Sequence, residues 1–191
     1  MEQGKGDIWD SGKIESDASQ WIAYQGKTLK RNAPYYWKVK IDTNKGTTDW
    51  STPAFWTTGL FNEADWQGQW IGLDKAAPGD SETQWSRLAA RYLRKEFALK
   101  KEVKRATVHI AGMGLYELFI NGQRIGNQVL APAPTDYRKT ILYNTYDVTS
   151  LLQTENAIGV TLGNGRFYTM RQNYKPYKIP TFGYPKLRLN L

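Results

Sequence analysis

Cysteine is absent from this 191-residue chain, and histidine occurs once, as His109. These absences exclude disulfides, thiolate metal sites and a cysteine nucleophile, and they argue against a histidine-based metal centre or a Ser-His triad. An Asp-x-Asp-x-Asp-Gly calcium loop is also missing. We therefore expect no cofactor and no metal, and we interpret His109 as an exposed or hydrogen-bonded strand residue.

Long apolar runs are missing too. No stretch of roughly 18 apolar residues occurs, which excludes a membrane-spanning helix, and the first residues lack the apolar region of a signal peptide. The lack of cysteine does not fix a compartment. We leave the compartment open, with a periplasmic or extracellular location preferred over a cytoplasmic one.

Aromatic and basic residues are abundant. The 8 Trp, 12 Tyr and 6 Phe favour a β-rich protein with aromatic surfaces. The net charge of +8 raises nucleic-acid binding as a remote alternative. However, the densest basic run, residues 94–105, is interleaved with apolar and acidic residues, and neither an RNP-type pattern nor a recognition helix is present. We expect neither nucleic acid nor membrane as a partner.

Period-two alternation predicts strands in a first block. Tyr35, Trp37, Val39 and Ile41 share one face of a half-buried strand over residues 35–41. Asn44-Lys45-Gly46 then predicts a turn, and residues 50–59 complete another strand.

A second block contains further strands, at about 91–99, 106–111, 115–121, 157–163 and 186–191. Asn121-Gly122 predicts a two-residue hairpin, because both positions accept positive φ. Asp147 is expected to cap one helical turn over the residues that follow it. Residues 74–90 are polar and contain Pro78 and Gly79, which predicts a loop.

The sequence thus predicts an all-β fold of two β-sandwich domains, over residues 1–60 and 61–191. The second ends in an amphipathic strand, residues 186–191, whose Leu187, Leu189 and Leu191 share one face. We expect this domain to be incomplete at its C-terminus.

Several motifs, taken in order, resemble a known family. Those in the first block, Tyr36-Trp37-Lys38-Val39, Asp49-Trp50-Ser51 and Phe55–Gly59, are similar to the second half of a fibronectin type III domain. The complete set resembles the N-terminal region of bacterial α-L-rhamnosidases, glycoside hydrolase family 78. It falls at residues 49–51, 55–59, 65–72, 94–97, 114–122, 146–149 and 162–165. One departure is Arg166-Phe167-Tyr168, where members of the family often have Trp-Tyr.

The resemblance implies the C-terminal half of a fibronectin type III-like domain over residues 1–60, followed by a jelly-roll or galactose-binding-like sandwich over residues 61–191. It also implies a non-catalytic accessory role, in which this chain braces an (α/α)6 catalytic barrel. That barrel hydrolyses terminal α-L-rhamnose with inversion of the anomeric configuration. Whether this chain is itself an enzyme stays open, and no catalytic residue is assigned. Glu117 and Asp136 are the carboxylates that we would nominate, but nothing in the sequence brings them together.

Sugar binding is the competing role, as a self-standing carbohydrate-binding module that takes a rhamnose-containing glycan. Flat aromatic rings contact the C–H faces of sugars, and amides and charged groups bond their hydroxyls. The candidates are Trp66, Trp70, Asn164, Arg166, Tyr168, Tyr174 and Tyr177, with Trp85 in a nearby loop. The alternatives are core or interdomain packing for Trp66 and Trp70, a tight turn at residues 163–165, and docking against a catalytic domain for residues 168–184.

Overall fold

The chain divides into two compact units, Met1–Asp65 and Trp66–Leu191. The computed structural model describes residues 6–18, 20–75, 88–168 and 182–191. Within those ranges every regular element is a strand, apart from two short 3₁₀ turns at Glu63–Asp65 and Thr149–Leu151. The fold is all-β, as the alternation predicts.

The first unit contains four short strands in two pairs. β1 (Pro34–Trp37) pairs antiparallel with β4 (Ala54–Thr57), and β2 (Asp42–Thr43) pairs with β3 (Gly46–Thr47). The predicted turn at residues 44–46 lies between β2 and β3. Its backbone is held by the Thr43 hydroxyl, which donates to the Gly46 carbonyl at 3.0 Å and accepts from the Lys45 amide at 3.1 Å.

The predicted half-buried strand over residues 35–41 is wrong in both length and burial. β1 ends at Trp37, and Trp37, Val39 and Ile41 are 51%, 43% and 53% exposed. Beyond Trp37 the backbone amides bond side-chain hydroxyls instead of a regular ladder. The Val39 amide, for example, donates to the Ser51 hydroxyl at 3.1 Å. In the described part of this unit, no second sheet buries the alternating face.

The second unit is a sandwich of two four-stranded antiparallel sheets, β10–β7–β12–β5 and β6–β11–β8–β9. The strands are β5 (Ile71–Gly72), β6 (Arg91–Ala98), β7 (Thr107–Met113), β8 (Leu115–Ile120), β9 (Gln123–Ile125), β10 (Tyr143–Asp147), β11 (Glu155–Gly163) and β12 (Lys186–Asn190). The five predicted strands correspond to β6, β7, β8, β11 and β12. Sequence reasoning missed β5 and β10, and it gave no bounds for β9, the partner strand that the predicted hairpin implies.

Alternate side chains of both sheets form the core. Val108 and Ile110 of β7 are fully buried, as are Leu118 and Ile120 of β8 and Leu162 of β11, to within about 1%. Such burial stabilises by about 1.5–3 kcal/mol for each large apolar side chain. The predicted hairpin is confirmed, because Asn121 and Gly122 join β8 to β9 with φ of 51° and 81°.

The predicted cap is displaced by one residue, because Val148 and not Asp147 holds the N-cap position of the second 3₁₀ turn, and it makes no side-chain capping bond. The Asp147 carboxylate accepts from the Thr149 amide at 2.9 Å and from its hydroxyl at 2.7 Å, at the start of the second 3₁₀ turn. These bonds hold the pKa of Asp147 below its ordinary value.

Candidate aromatic cleft of the second unit

The second unit carries an open cleft of about 480 Å³ in its described surface. Its lining combines aromatic rings with one acidic and one basic side chain, from Trp70, Asp74, Met113, Phe167, Phe182, Gly183, Tyr184 and Lys186. Because β12 and the segments beside β5 and β11 meet there, residues distant in sequence converge. Trp70 is the sequence candidate that lies in the lining, whereas Phe182, Asp74 and Lys186 were missed.

The rings at this cleft stabilise one another. Phe167 stacks on Phe182 with centroids 5.9 Å apart, and the edge of Tyr137 contacts both rings at 5.2 and 5.4 Å. Tyr168 stacks on Tyr184 at 5.9 Å. Such pairs contribute about 0.5–1.5 kcal/mol beyond area burial, so the rings are held in place before any partner arrives.

Charge is placed beside these rings. The Lys186 ammonium lies 3.0 Å from the Asp74 carboxylate, and the two side chains remain 36% and 63% exposed. An exposed pair of this kind contributes little to stability. Its donors and acceptors are accessible to a ligand or a partner surface.

Trp66, another sequence candidate, lies outside that lining, in a separate cluster over the outer face of the β10–β7–β12–β5 sheet. The Arg188 guanidinium stands 5.2 Å from the Trp66 ring centroid, and Tyr143 makes an edge contact with that ring at 5.5 Å. Arg188 also donates to the carbonyls of Gly68 (2.6 Å) and Trp66 (3.3 Å). Trp66 therefore ties the start of the unit to β12.

His109 lies under this cluster and is only 2% exposed. Its Nδ1 is 3.0 Å from the Thr145 hydroxyl, while its Nε2 is buried with no hydrogen-bond partner in the described residues. Burial, with a smaller contribution from Arg105, holds the pKa of His109 below its ordinary value. The expectation of an exposed or hydrogen-bonded histidine is thus half right, since one nitrogen is bonded and the ring is buried.

The glycine-rich loop after β11 is a turn that a side-chain hydrogen bond fixes to the segment before β6. Gly165 has φ of 52°, and the Asn164 amide donates to the Leu88 carbonyl at 2.9 Å. Asn164 Oδ1 is buried without a hydrogen-bond partner in the described residues. Arg166, the next candidate, is exposed, and its charge lies near Asp136 and Tyr137.

The nominated carboxylates are engaged by different arginines. Glu117 on β8 pairs with Arg124 on β9 at 3.3 Å, and Asp136 pairs with Arg138 in its own turn at 3.0 Å. Hydrogen bonding from Arg138 holds the pKa of Asp136 below its ordinary value, which is opposite to the shift that a general acid needs.

Three candidates, Trp85, Tyr174 and Tyr177, lie outside the described residues. Among the residues that are described, no three His, Asp or Glu side chains cluster as metal ligands would. No helix in the same ranges has the length and apolarity to cross a bilayer.

Two family profiles match this chain. Residues 101–191 match the α-L-rhamnosidase N-terminal domain, and residues 1–62 match the Rha78A-like N-terminal immunoglobulin domain. An α-L-rhamnosidase of Formosa agariphila is 38% identical over 92% of this chain and 20% of its own length. The chain therefore spans about a fifth of that relative.

Solved structures agree. The α-L-rhamnosidase from Dictyoglumus thermophilum superposes with a TM-score of 0.80 at 40% identity, over 98% of this chain and 21% of its own. That from Aspergillus terreus gives 0.74 at 32% identity, over 84% and 18%. Fold and matches together define an immunoglobulin-like unit followed by a rhamnosidase-type β-sandwich. Residues 1–62 and 101–191 therefore match the N-terminal immunoglobulin-like domain and the N-terminal domain of α-L-rhamnosidases, respectively.

Proposed function

We propose that this chain is the non-catalytic N-terminal accessory portion of an α-L-rhamnosidase, where its second unit braces an (α/α)6 catalytic barrel acting on terminal α-L-rhamnose. One observation carries the proposal. Between 84% and 98% of the chain aligns with proteins of that activity, yet it spans only about a fifth of them. Most of their length, including room for a barrel, lies outside the matched part.

The carboxylates of the second unit support an accessory role. Inverting hydrolysis needs one acid of raised pKa and one base, about 6.5–9.5 Å apart with water between them. Glu117 and Asp136 each face an arginine, and the pKa of Asp136 is lowered. The aromatic cleft is instead suited to contact, because its rings are already ordered and part of their surface is open.

We place the barrel contact at this cleft and its surroundings, with Trp70 and Tyr168 as its candidate anchors. Aromatic anchors give large contact area at small entropic cost, and the Asp74–Lys186 pair would fix orientation at the rim. Tyr174 and Tyr177 stay candidates for the same surface on sequence grounds.

Sugar binding at the same cleft is the second candidate function, favoured by the neighbouring rings and the accessible charges of Asp74 and Lys186. It would use Trp70 and Tyr168 as platforms and Arg166 as a hydrogen-bonding group, while Asn164, whose amide bonds the Leu88 carbonyl and whose Oδ1 is buried, would support the turn beside them. Trp66 remains a candidate platform for sugar binding, through the part of its ring surface that Arg188 and Tyr143 do not cover.

A chimera tests the bracing role. The matched fifth of the D. thermophilum α-L-rhamnosidase is replaced by this chain, and hydrolysis of p-nitrophenyl α-L-rhamnoside and the melting temperature are measured. We expect the chimera to be active, deletion of the matched fifth to lower both readouts, and the isolated chain to show no hydrolysis. Activity of the isolated chain, or a deletion that changes neither readout, would contradict the proposal.

The variant Trp70→Ala separates the two uses of the cleft. Bracing predicts a lower melting temperature for the chimera with no change in isolated-chain sugar binding. Sugar binding predicts that calorimetry detects L-rhamnose at millimolar concentration in the wild-type chain and not in the variant. Trp37→Ala, which removes a half-exposed ring from the first unit, is the control and should change neither.

A further inference from the structure

The outer face of the β6–β11–β8–β9 sheet contains a glycine that folding does not explain. Gly159 lies in the middle of β11, and its neighbours keep regular antiparallel register with β6 on one side and β8 on the other. No bulge is present there, and the φ of Gly159 is not positive. A methyl group built at Gly159 would meet a single neighbouring atom, Phe119 Cβ at 3.9 Å.

Glycine in a strand interior costs about 0.5–1 kcal/mol relative to alanine. Where it is not a bulge or a bend, it often marks a place where a ligand or another backbone comes close to the strand. A backbone cannot pair with β11, because both of its edges are already bonded to β6 and β8. A ligand that comes close to Gly159 must therefore approach from the outer face of the sheet.

The surroundings of Gly159 form a trough. On this face β11 presents only small side chains, Ala157, Gly159 and Thr161, because its large residues Val160 and Leu162 point into the core. The walls are the flanking strands β6 and β8, about 10 Å apart, which is two strand spacings.

Each wall carries an aromatic ring and charge. Tyr92 of β6, directly across from Thr161, is 81% exposed. Phe119 of β8 stands across from Gly159 on the other side. Among the charged side chains, Arg94 pairs with Glu96 on β6, and Arg124 pairs with Glu117 at 3.3 Å.

We propose that this trough binds a neutral oligosaccharide, lying along β11 over Gly159 with sugar rings against Tyr92 and Phe119. Tyr92 and Phe119 offer flat surfaces to C–H faces, and the two Arg–Glu pairs offer donors and acceptors to hydroxyls. The Arg94–Glu96 and Arg124–Glu117 ion pairs present both signs of charge to a ligand, so an uncharged sugar meets a donor and an acceptor in each pair without opposing a like charge. This site is on the opposite sheet from the aromatic cleft, and it does not depend on the proposed rhamnosidase function.

Binding is measured on the 191-residue chain by ¹H–¹⁵N NMR titration. The probes are neutral cellohexaose, xylohexaose, mannohexaose and rhamnan oligosaccharides, with acidic hexagalacturonate as the comparison. We expect at least one neutral probe to shift the amide resonances of β6, β8 and β11 at millimolar concentration, and hexagalacturonate to bind more weakly. Silence of these strands with every neutral probe, or tighter binding of hexagalacturonate, would overturn the proposal.

Gly159→Val is the decisive variant. It fills the trough but suits the strand, because β-branched residues favour extended backbone and the space above Gly159 is open. We expect its melting temperature to equal or exceed that of the wild type, with affinity reduced at least about tenfold.

Tyr92→Ala should weaken binding by about tenfold as well, through loss of the platform. Val129→Ala is its matched control, since Val129 is 80% exposed but lies outside this sheet face, and it should bind as the wild type does. If Gly159→Val is folded and binds with unchanged affinity, the trough is not the site.

Discussion

The two units differ in how far they bury the large apolar side chains of their strands. In the first unit Phe55 and Tyr36 lie side by side, 5.9 Å apart, and remain 67% and 62% exposed. In the second unit Val108, Ile110 and Ile120 are fully buried between two sheets. Alternation along a strand therefore tells which residues share a face, but not whether a second sheet covers that face.

Stability should follow this difference. Burial of apolar area is the dominant favourable contribution to folding, and the two-stranded sheets of the first unit bury little of it. A small sheet with an exposed face is marginal alone, and its unpaired edges invite self-association. We expect amides of the second unit to be protected from exchange far more than those of the first.

The largest contrast should come from matched truncations in the two units. Leu118→Ala removes a side chain that is 1% exposed and leaves a cavity, so it should cost about 2–5 kcal/mol of unfolding free energy. Phe55→Ala, at 67% exposure, should cost less than about 1 kcal/mol. Urea denaturation, monitored by hydrogen exchange, measures both changes in unfolding free energy. Similar losses for the two variants would show that the first unit has a core of its own.

A second contrast concerns cations over tryptophan rings. Arg188→Met keeps the aliphatic packing on Trp66 but leaves the carbonyls of Gly68 and Trp66 without their charged donor, for a loss of about 1.5–3 kcal/mol. Lys38→Met removes the ammonium 4.7 Å from the Trp50 ring, for a loss of about 0.5–1 kcal/mol at an exposed site. Thermal unfolding of both variants tests whether Arg188→Met loses more stability than Lys38→Met does, and equal losses of stability would refute this prediction.

Much of the second unit was accessible from the sequence because its longer strands β7, β8 and β11 carry large apolar residues at alternate positions. β10 was missed because Tyr143–Asp147 has polar residues on both faces, and β5 because two residues show no period. The environment of Trp66 was not accessible either. Its cationic neighbour, Arg188, is 122 residues away and is placed there by the pairing of β12 with β7 and β5. In the first unit, the alternation of residues 35–41 suggested that one face of the strand is buried. Burial of that face requires a second sheet to cover it, and a local sequence pattern does not show whether such a sheet is present.

A third contrast compares two crowded glycines. A methyl group at Gly68 would lie 2.2 Å from the Leu189 carbonyl oxygen, which β12 holds in place, so Gly68→Ala should cost about 1–3 kcal/mol. At Gly26 in the first unit the obstacles are the side chains of Trp9 and the half-exposed Tyr24, at 2.5 Å. Gly26→Ala should cost less than Gly68→Ala, although Trp9 Cβ moves only with its backbone, because the described residues before Pro34 form no strand that resists the shift. The denaturation midpoints of the two variants compare the losses of stability. A larger loss for Gly26→Ala would mean that the first unit is packed more rigidly than the second.

The smallest contrast is the response to acid. The pKa of His109 is lowered by burial, so the unfolded chain binds a proton more readily than the folded one. The stability that depends on neutral His109 is present above its ordinary pKa of 6.5 and is lost as pH falls from there through the folded value. In the first unit the pKa of Asp65 is lowered by the Phe61 amide, with smaller contributions from Arg31 and Asn62, so the corresponding loss begins only below 3.8.

Melting curves recorded between about pH 8 and about pH 5 should therefore fall for the second unit and not for the first. His109→Gln removes the titrating group and should flatten the curve, whereas Asp65→Asn should leave it unchanged in that range. The lowered carboxylates of the second unit, Asp136 and Asp147, act below 3.8 and do not overlap this window. A wild-type curve as flat as that of His109→Gln would contradict the prediction, because it would mean that His109 has the same pKa in the folded and the unfolded chain.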